Sequence, residues 1–400
     1  MTGERPLAVL HPITRLIIGG AQENTMLTAD LMNRGVACGG AYEVSIACGE
    51  QTGPEGSLIE EVRHRGVPLK VVPTLRREVN PVADMRAILA LRRIMTSSGG
   101  GPRFDIVHTH SSKAGVVGRI AARLAGVPTV VHTVHGWSFH DRMPAWKLHF
   151  YVALEKWACR FGQKMIVVAD ADIEKGLSRG IGRRDDYVVI RSGIELDRFG
   201  NPLVPRHETR RQLGIPADAM VVGSVTRLSE QKAPLDLIES FALVHRSSPR
   251  TRFVVVGDGP LRGKVESLLR ERNLADAVVL TGLRRDIPEL MAAFDVFTLN
   301  SLWEGLPRVL PQAMATGLPI VCTRADGSAD AVEDGRNGLL VPRSNPAAAA
   351  AQILLLLSDR GLCKRMGEEG RRRATAYDVR TMVGQLDRLY RSLSGNRSGR

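Results

Sequence analysis

At 400 residues the chain is longer than a typical single domain, and its 44% hydrophobic content is enough for two sizeable cores. Aromatics are scarce at 4% while 40 glycines are present, as in α/β proteins with tightly packed helices. The formal charge of +13 is spread evenly, with 26 basic and 20 acidic side chains in residues 1–200 and 29 and 22 in the remainder. That spread argues against a nucleic-acid-binding module. It leaves an anionic small molecule, an anionic lipid surface or plain composition bias as its meaning. No apolar run approaches the ~20 residues needed to span a bilayer. The start, MTGERPLAVLHP, has an acidic residue and no long apolar core, so it does not read as a signal peptide. Cys38, Cys48, Cys159, Cys322 and Cys363 form an odd set without metal-ligand spacing, which reads as reduced, structural thiols in the cytoplasm.

In chain order, Leu7 to His11 reads as a strand and Pro12 to Gly20 as a loop. The next segment, GGAQENTMLTADLMNRG, is helical, with Ala21, Thr25, Leu27 and Leu31 near one face. Gly19 and Gly20 would let backbone approach a phosphate closely. Strands at Tyr42 to Cys48 and Leu69 to Val72 flank a helix at Leu58 to Arg65, and Val82 to Met95 is a further helix. Asp105 to Thr109 is a strand ending in His108-Thr109-His110, followed by a clear helix capped by Ser111 or Ser112. Thr129 to Thr133 is a strand running into His135-Gly136-Trp137. Two successive strands thus place histidines at their carboxyl ends, where open α/β sheets bind ligands. His108 and His110 read as structural.

Residues 137–161 hold seven of the eighteen aromatics, with Arg142, Lys147, Lys156 and Arg160 interleaved. Such a helix can lie on a membrane surface. Phe150, Leu154, Trp157 and Phe161 also share helical spacing, and the expectation is a core helix with a solvated basic face. Met165 to Ala169 and Tyr187 to Ile190 are the last strands of the first half, and the Pro-containing stretch Gly200 to Pro205 reads as a linker.

Strand and helix then restart. Met220 to Thr226 is a strand, Arg227-Leu-Ser-Glu-Gln-Lys232 a loop, Pro234 to His245 a helix and Arg252 to Val256 a strand closed by Gly257-Asp-Gly259. Two nucleotide motifs fail here. Arg262 stands where the dinucleotide fingerprint needs its third glycine, and Gly263-Lys264 is followed by Val265 rather than the Ser or Thr of a P-loop. Val278 to Thr281 is a strand, with a loop reaching Ile287. Asp295 to Leu299 is a strand. Glu304-Gly305-Leu306-Pro307 follows, with Pro307 suited to a first helical turn. Val309, Leu310, Ala313 and Met314 recur at helical spacing, Gly317 and Pro319 end the helix, and Leu318 to Cys322 is the next strand. Free N–H groups at such a helix start make an anion site. An acid beside it points to a ligand with both phosphate and hydroxyl groups, such as a sugar nucleotide. A helix at Ala347 to Ser358 and a final helix from about Thr381 complete the chain.

The stretch from Phe297 to Val341 resembles the donor-site signature of retaining glycosyltransferases of the GT-B fold, family 4. That signature is a Glu, seven residues, then a second Glu, with Gly-x-Pro after the first. Glu304 and Gly305-Leu306-Pro307 match; the second position is Gln312. The resemblance covers nearly the whole chain, most specifically residues 223–341. It implies an α/β fold of two Rossmann-like domains facing a cleft. Residues 1–199 would form the acceptor-binding domain, with a C-terminal helix at about 377–400 crossing back to it. Residues 200–376 would form the donor-binding domain.

The same resemblance implies roles. His135, the last residue of HTVH, would face the donor sugar, and Gly19 and Gly20 match the family's first-loop glycines. Arg227 and Lys232 match the basic pair that grips the diphosphate, where Arg offers a fork and Lys a point charge. The N–H groups of Val309 and Leu310 would add to that anion site. Glu304 with the amides of Gly305 and Leu306 would hold sugar hydroxyls, Ile287 lies in the loop that passes the nucleobase, and Gln312 would hold ribose. No metal cluster is visible apart from His108-x-His110, and none is expected. No second carboxylate stands out as the nucleophile of a double displacement, and the front-face departure and attack proposed for the family is what the resemblance implies. The implied activity is transfer from a UDP-, GDP- or similar sugar to a lipid-linked or saccharide acceptor in surface polysaccharide assembly. The implied place is the cytoplasm or the inner membrane face. A non-hydrolysing sugar-nucleotide epimerase and a weakly active binding scaffold are the rival readings.

Overall fold

A computed structural model describes residues 5–51 and 55–395. Residues 1–4, part of the start read as lacking a signal peptide, and 396–400, the end of the expected final helix, lie outside them. The chain forms two compact units, one of residues up to 193 with 379 onward, the other of residues 194–378.

The first unit holds seven strands: β1 (Leu7–Ile13), β2 (Tyr42–Cys48), β3 (Leu69–Val71), β4 (Ile106–His110), β5 (Thr129–Val134), β6 (Lys164–Val167) and β7 (Tyr187–Val189). They pair in parallel in the order β3-β2-β1-β4-β5-β6-β7. Parallel pairing needs crossovers, so helices cover both faces and the strands become continuous apolar runs. One face carries Val9, Ile13, Ile106 and Val131 under helices Gly20–Asn33 and Val379–Gly395. The other carries Leu10, Val107 and Val130 under Pro81–Met95 and Ser112–Leu124. The last helix is bound to the sheet and to β2: Tyr390 Oη lies 2.5 Å from His108 Nδ1, and Tyr42 donates to Asp387 at 2.8 Å.

The second unit holds β8 (Val221–Val225), β9 (Arg252–Val256), β10 (Val278–Gly282), β11 (Val296–Leu299), β12 (Ile320–Thr323) and β13 (Gly338–Val341) in the parallel order β10-β9-β8-β11-β12-β13. Phe241, Phe253, Val255 and Val296 sit in its core. In both sheets the chain runs outward from the first strand and returns to its other side. The order therefore reverses between β1 and β4 and between β8 and β11. Ligands of open α/β sheets bind beyond the strand ends at that reversal.

The aromatic-basic segment departs from its expectation as a core helix. Helix Ala145–Ala158 buries Glu155 and Ala158, while Trp146, Phe150 and Trp157 are 68%, 48% and 43% exposed. Glu155 turns inward because the buried Arg119 of the preceding helix donates to it at 3.0 Å. That pairing rotates the aromatic face outward. Strand β13 and helices Arg262–Glu271 and Arg360–Ala374 add to the elements read from sequence.

Candidate active site

Beyond β8 the chain passes Arg227, which is half-buried, and makes a 3₁₀ turn, Glu230–Lys232. Ala233 then adopts a left-handed φ of 42° before helix Pro234–Ser247. The loop is pressed onto the one after β9. A Cβ on Gly257 would stand 2.0 Å from Thr226 O, and one on Gly259 2.5 Å from Leu228 O. Those glycines serve close backbone packing, and that packing places Arg227.

Beyond β11 the chain buries Ser301 and Glu304. Glu304 Oε1 accepts from Lys232 Nζ and, at 2.5 Å, from Ser301 Oγ. Its Oε2 has no partner among the described residues. Glu304 N donates to Asp326 Oδ2 at 3.2 Å; Asp326 follows β12 and is also left-handed, at φ 35°. Left-handed Ala and Asp store backbone strain, which concentrates at functional sites. The N–H groups of Gly305, Leu306 and Val309 have no acceptor among the described residues, although Gly305 and Leu306 are buried. Buried backbone donors are nearly always paired, so this row of N–H groups is suited to oxygen atoms of a ligand.

Two details correct the sequence reading. Helix Val309–Thr316 begins two residues after Pro307. Leu310 N donates to Pro307 O at 2.9 Å, so of the two amides expected at the anion site only Val309 N–H is open. The turn tightens because Pro311 has no N–H and the first helical bond cannot form there. Gln312 is only 9% exposed, and its side-chain amide has no partner among the described residues. Ile287 opens the short helix Ile287–Ala292, half-buried, beyond the loop in which Arg284 pairs with Asp286. Ser301 and Asp326 were not singled out in the sequence. The Asp326-Gly327 turn signal after a strand was the available cue.

In the first unit, Gly19 is the N-cap of helix Gly20–Asn33, and Gly20 is its exposed first residue. Gly19 has an ordinary extended backbone, but a Cβ there would lie 2.8 Å from Gln22 Oε1. Helix Ser112–Leu124 is not capped by the Ser111 side chain. Ser111 sits at φ 60°, its Oγ lies 2.7 Å from Thr14 Oγ1, and Thr14 Oγ1 accepts from Ala114 N. The cap therefore comes from the loop after β1. His135, half-buried, lines a cavity of roughly 160 Å³ with Ser111, Ser112, His132 and Glu155. Such a volume is ample for ordered water or a sugar hydroxymethyl group.

Behind His135 lies a group of buried imidazoles, of which sequence reading missed His11 and His132. His11 Nδ1 is 2.7 Å from His110 Nε2, and His110 Nδ1 is 3.0 Å from His135 Nε2. His108 meets Tyr390 and Thr133 hydroxyls, the latter at 2.6 Å. Burial pushes His11 down to about 3 and His108, His110 and His132 well below the ordinary imidazole range, so all four are neutral. His11, His108 and His110 are close enough together to hold a metal ion. His11 and His110, however, are spaced as a hydrogen bond, at 2.7 Å. Two nitrogens on a tetrahedral zinc, each ~2.1 Å away, stand roughly 3.4 Å apart, and both nitrogens of His108 and His110 already have partners.

Two all-parallel Rossmann-like units with the last helix returned to the first are the architecture of GT-B glycosyltransferases, and solved structures of that class match it. The Anabaena protein HepE in complex with UDP-glucose does so with a TM-score of 0.80 at 23% identity, over 96% of this chain and 99% of its own. WaaG, a glycosyltransferase involved in lipopolysaccharide biosynthesis, gives 0.75 at 18% identity, over 95% and 99%. Residues 205–373 match glycosyl transferases group 1, and residues 25–193 match the glycosyl transferase 4-like domain. An Escherichia coli relative, UDP-Gal:alpha-D-GlcNAc-diphosphoundecaprenol alpha-1,3-galactosyltransferase, is 31% identical over 87% of this chain and 89% of its own length. The GDP-mannose-dependent alpha-mannosyltransferase of Mycobacterium tuberculosis is 29% identical over 71% and 70%. The chain belongs to the glycosyl transferases group 1 family and is a glycosyltransferase.

Proposed function

We propose that the enzyme transfers a sugar from a nucleoside-diphosphate sugar to a lipid-linked or saccharide acceptor with retention at the anomeric carbon, in surface polysaccharide assembly. The observation that carries this reading is the Lys232–Glu304 pair beside the N–H groups of Gly305, Leu306 and Val309, which have no acceptor among the described residues. Departure of a nucleoside diphosphate leaves negative charge on its terminal phosphate. Donors fixed before the reaction stabilise that charge without reorganising. Lys232, Arg227 and the Val309 N–H supply them; Glu304 Oε2 and the amides of Gly305 and Leu306 are matched to sugar hydroxyls. Gln312 offers ribose one acceptor and one donor group. His135 in the first unit contacts the sugar. The site runs without a resident metal, its cationic side chains and N–H groups taking that role.

The exposed face Trp146, Phe150 and Trp157 docks the first unit on an anionic bilayer. Lys147 stands 5.4 Å over the Trp146 ring, and Lys156 and Arg160 are exposed beside it. Aromatic and basic residues on one helix are the composition of interfacial helices, and no helix of the described residues is long and apolar enough to cross a membrane. The relative from Escherichia coli, whose acceptor is a diphosphoundecaprenol-linked sugar, supports a membrane-borne acceptor.

A thermal-shift panel of UDP-, GDP- and ADP-sugars tests donor binding; the true donor at ~100 times its Kd stabilises by ~2.7 kcal/mol. Proton NMR of the first product formed reads the anomeric configuration. Inversion overturns the retaining mechanism, and a donor isomer formed without acceptor makes the protein an epimerase. Turnover persists in excess chelator; a loss restored by added metal overturns the metal-free reading.

A further inference from the structure

Strands β1 and β4 and the turn after β5 join His11, His110 and His135 in one chain of hydrogen bonds, 2.7 Å and 3.0 Å long. His11 and His110 are buried and neutral, so each carries one ring proton. A neutral imidazole donates from one nitrogen and accepts at the other, which leaves the chain two directions. If it runs toward His11, His110 donates from Nε2 and His11 must hold its proton on its own Nε2. That atom is buried and has no partner among the described residues. If it runs toward His135, the same atom is a bare lone pair. A buried N–H without an acceptor is rarer than an unfilled acceptor and costs its full desolvation. Only the direction toward His135 avoids it. His108 stands outside this competition, because both of its nitrogens are held by hydroxyls.

We propose that His11 and His110 are positioning residues that fix the tautomer of His135. His110 donates from Nδ1 to His135 Nε2, so neutral His135 carries its proton on Nδ1. That N–H is then the one ring donor of the neutral form. The inference rests on the reading of His135 as a sugar-contacting residue. It extends that reading to two residues buried beneath it on β1 and β4.

Nitrogen NMR of histidine-labelled protein tests the inference, with the His135 signals assigned by their loss in His135→Gln. The natural chain shows His135 in the Nδ1–H form. His110→Leu removes the donor, moves His135 toward the Nε2–H form that predominates in water, and lowers kcat ~10-fold or more with KM little changed. In His110→Asn the amide nitrogen takes the place of Nδ1, and both properties are retained. In His110→Gln it takes the place of Nε2, which keeps contact with His11 and loses His135, so this variant behaves like His110→Leu. A His135 found as Nε2–H in the natural chain overturns the proposal. So do Asn and Gln variants with the same tautomer, or stoichiometric zinc in the purified protein. The Asn and Gln pair decides the matter even where the Leu variant fails to fold. If the tautomers follow this pattern while His135→Gln leaves turnover unchanged, the fixed tautomer stands and the sugar-contacting role of His135 falls.

Discussion

At the reversal point of the first sheet stand neutral imidazoles and hydroxyls withdrawn from water. At the reversal point of the second stand a lysine, a glutamate and a row of backbone N–H groups without acceptors among the described residues. One strand order therefore carries two chemistries. Neutral groups in a dry sheet edge can orient a partner but do little for developing charge. A cation and fixed N–H dipoles at a loop edge can stabilise that charge, and a neighbouring carboxylate can hold hydroxyls. Under the proposed function, the charge-bearing half of sugar transfer would fall to residues 194–378 and the orienting half to the histidines of the first unit.

The sharpest way to break that division is at Lys232. Lys232→Met is expected to lower kcat by ~10²–10³-fold, the loss seen when one preorganised donor to a developing oxyanion is removed. Because it also strands the buried Glu304 charge, it destabilises the second unit by on the order of 3 kcal/mol. Adding Glu304→Gln restores melting temperature but not turnover. Recovery of both in the double variant shows the pair to be structural.

Acid separates the two units next. His11, His108, His110 and His132 are held neutral by burial, well below the 6.5 they take in the unfolded chain. Unfolding therefore takes up protons once the pH falls below that value. Stability is complete above about pH 7 and drops on acidification by up to ~1.4 kcal/mol per pH unit for each histidine. Hydrogen exchange at pH 5.5 and 7.5 should show peptides from residues 5–193 losing protection while those from 194–378 keep it. Equal loss in both breaks the comparison.

The exposed helix face gives a smaller effect, confined to membranes. Trp146→Ala with Trp157→Ala should weaken binding to anionic vesicles by ~10-fold or more and leave turnover on a soluble acceptor unchanged. Co-sedimentation indifferent to salt and to anionic lipid content removes the docking surface. The smallest effect is expected at Gln312. Charge assistance roughly doubles a hydrogen bond, so Gln312→Glu should move donor KM by less than ~10-fold. Ribose is held about equally in ground and transition states, so kcat should hardly change. A large gain in kcat moves the scaffold reading forward.

The alternating strand and helix runs were legible because parallel strands are buried on both faces and their crossover helices keep a 3.6-residue stripe. β2 and β9 were read to the residue. Helix Arg360–Ala374 was not, because half of its stripe of Leu362, Cys363, Met366, Gly367, Gly370 and Ala374 is glycine or alanine. Its packing relies on small residues: a Cβ on Gly367 would lie 2.2 Å from Gly317 O. The outward face of Ala145–Ala158 was misread because its orientation depends on Arg119, a partner 36 residues away. At the site, Glu304 and Lys232 were legible as local patterns. Their pairing with each other, with Ser301 and with Asp326 was not, since it spans three strand ends. His11 was hidden for the same reason. A single histidine in a strand carries no signal until β4 is laid beside β1.

The last helix has a consequence for how the protein is made. The last helix, with Tyr390 and Asp387, completes a core whose strands and first helix are translated first, while residues 194–378 are contiguous. At ~5–20 residues per second, the ribosome takes roughly ten to forty seconds to deliver that intervening unit. Throughout that interval Val9, Ile13 and Val131 lack one of the two helices that cover their face, and His108 lacks its tyrosine. The part of the enzyme synthesised first is therefore finished last, and its half-covered sheet is the natural client for a chaperone during synthesis.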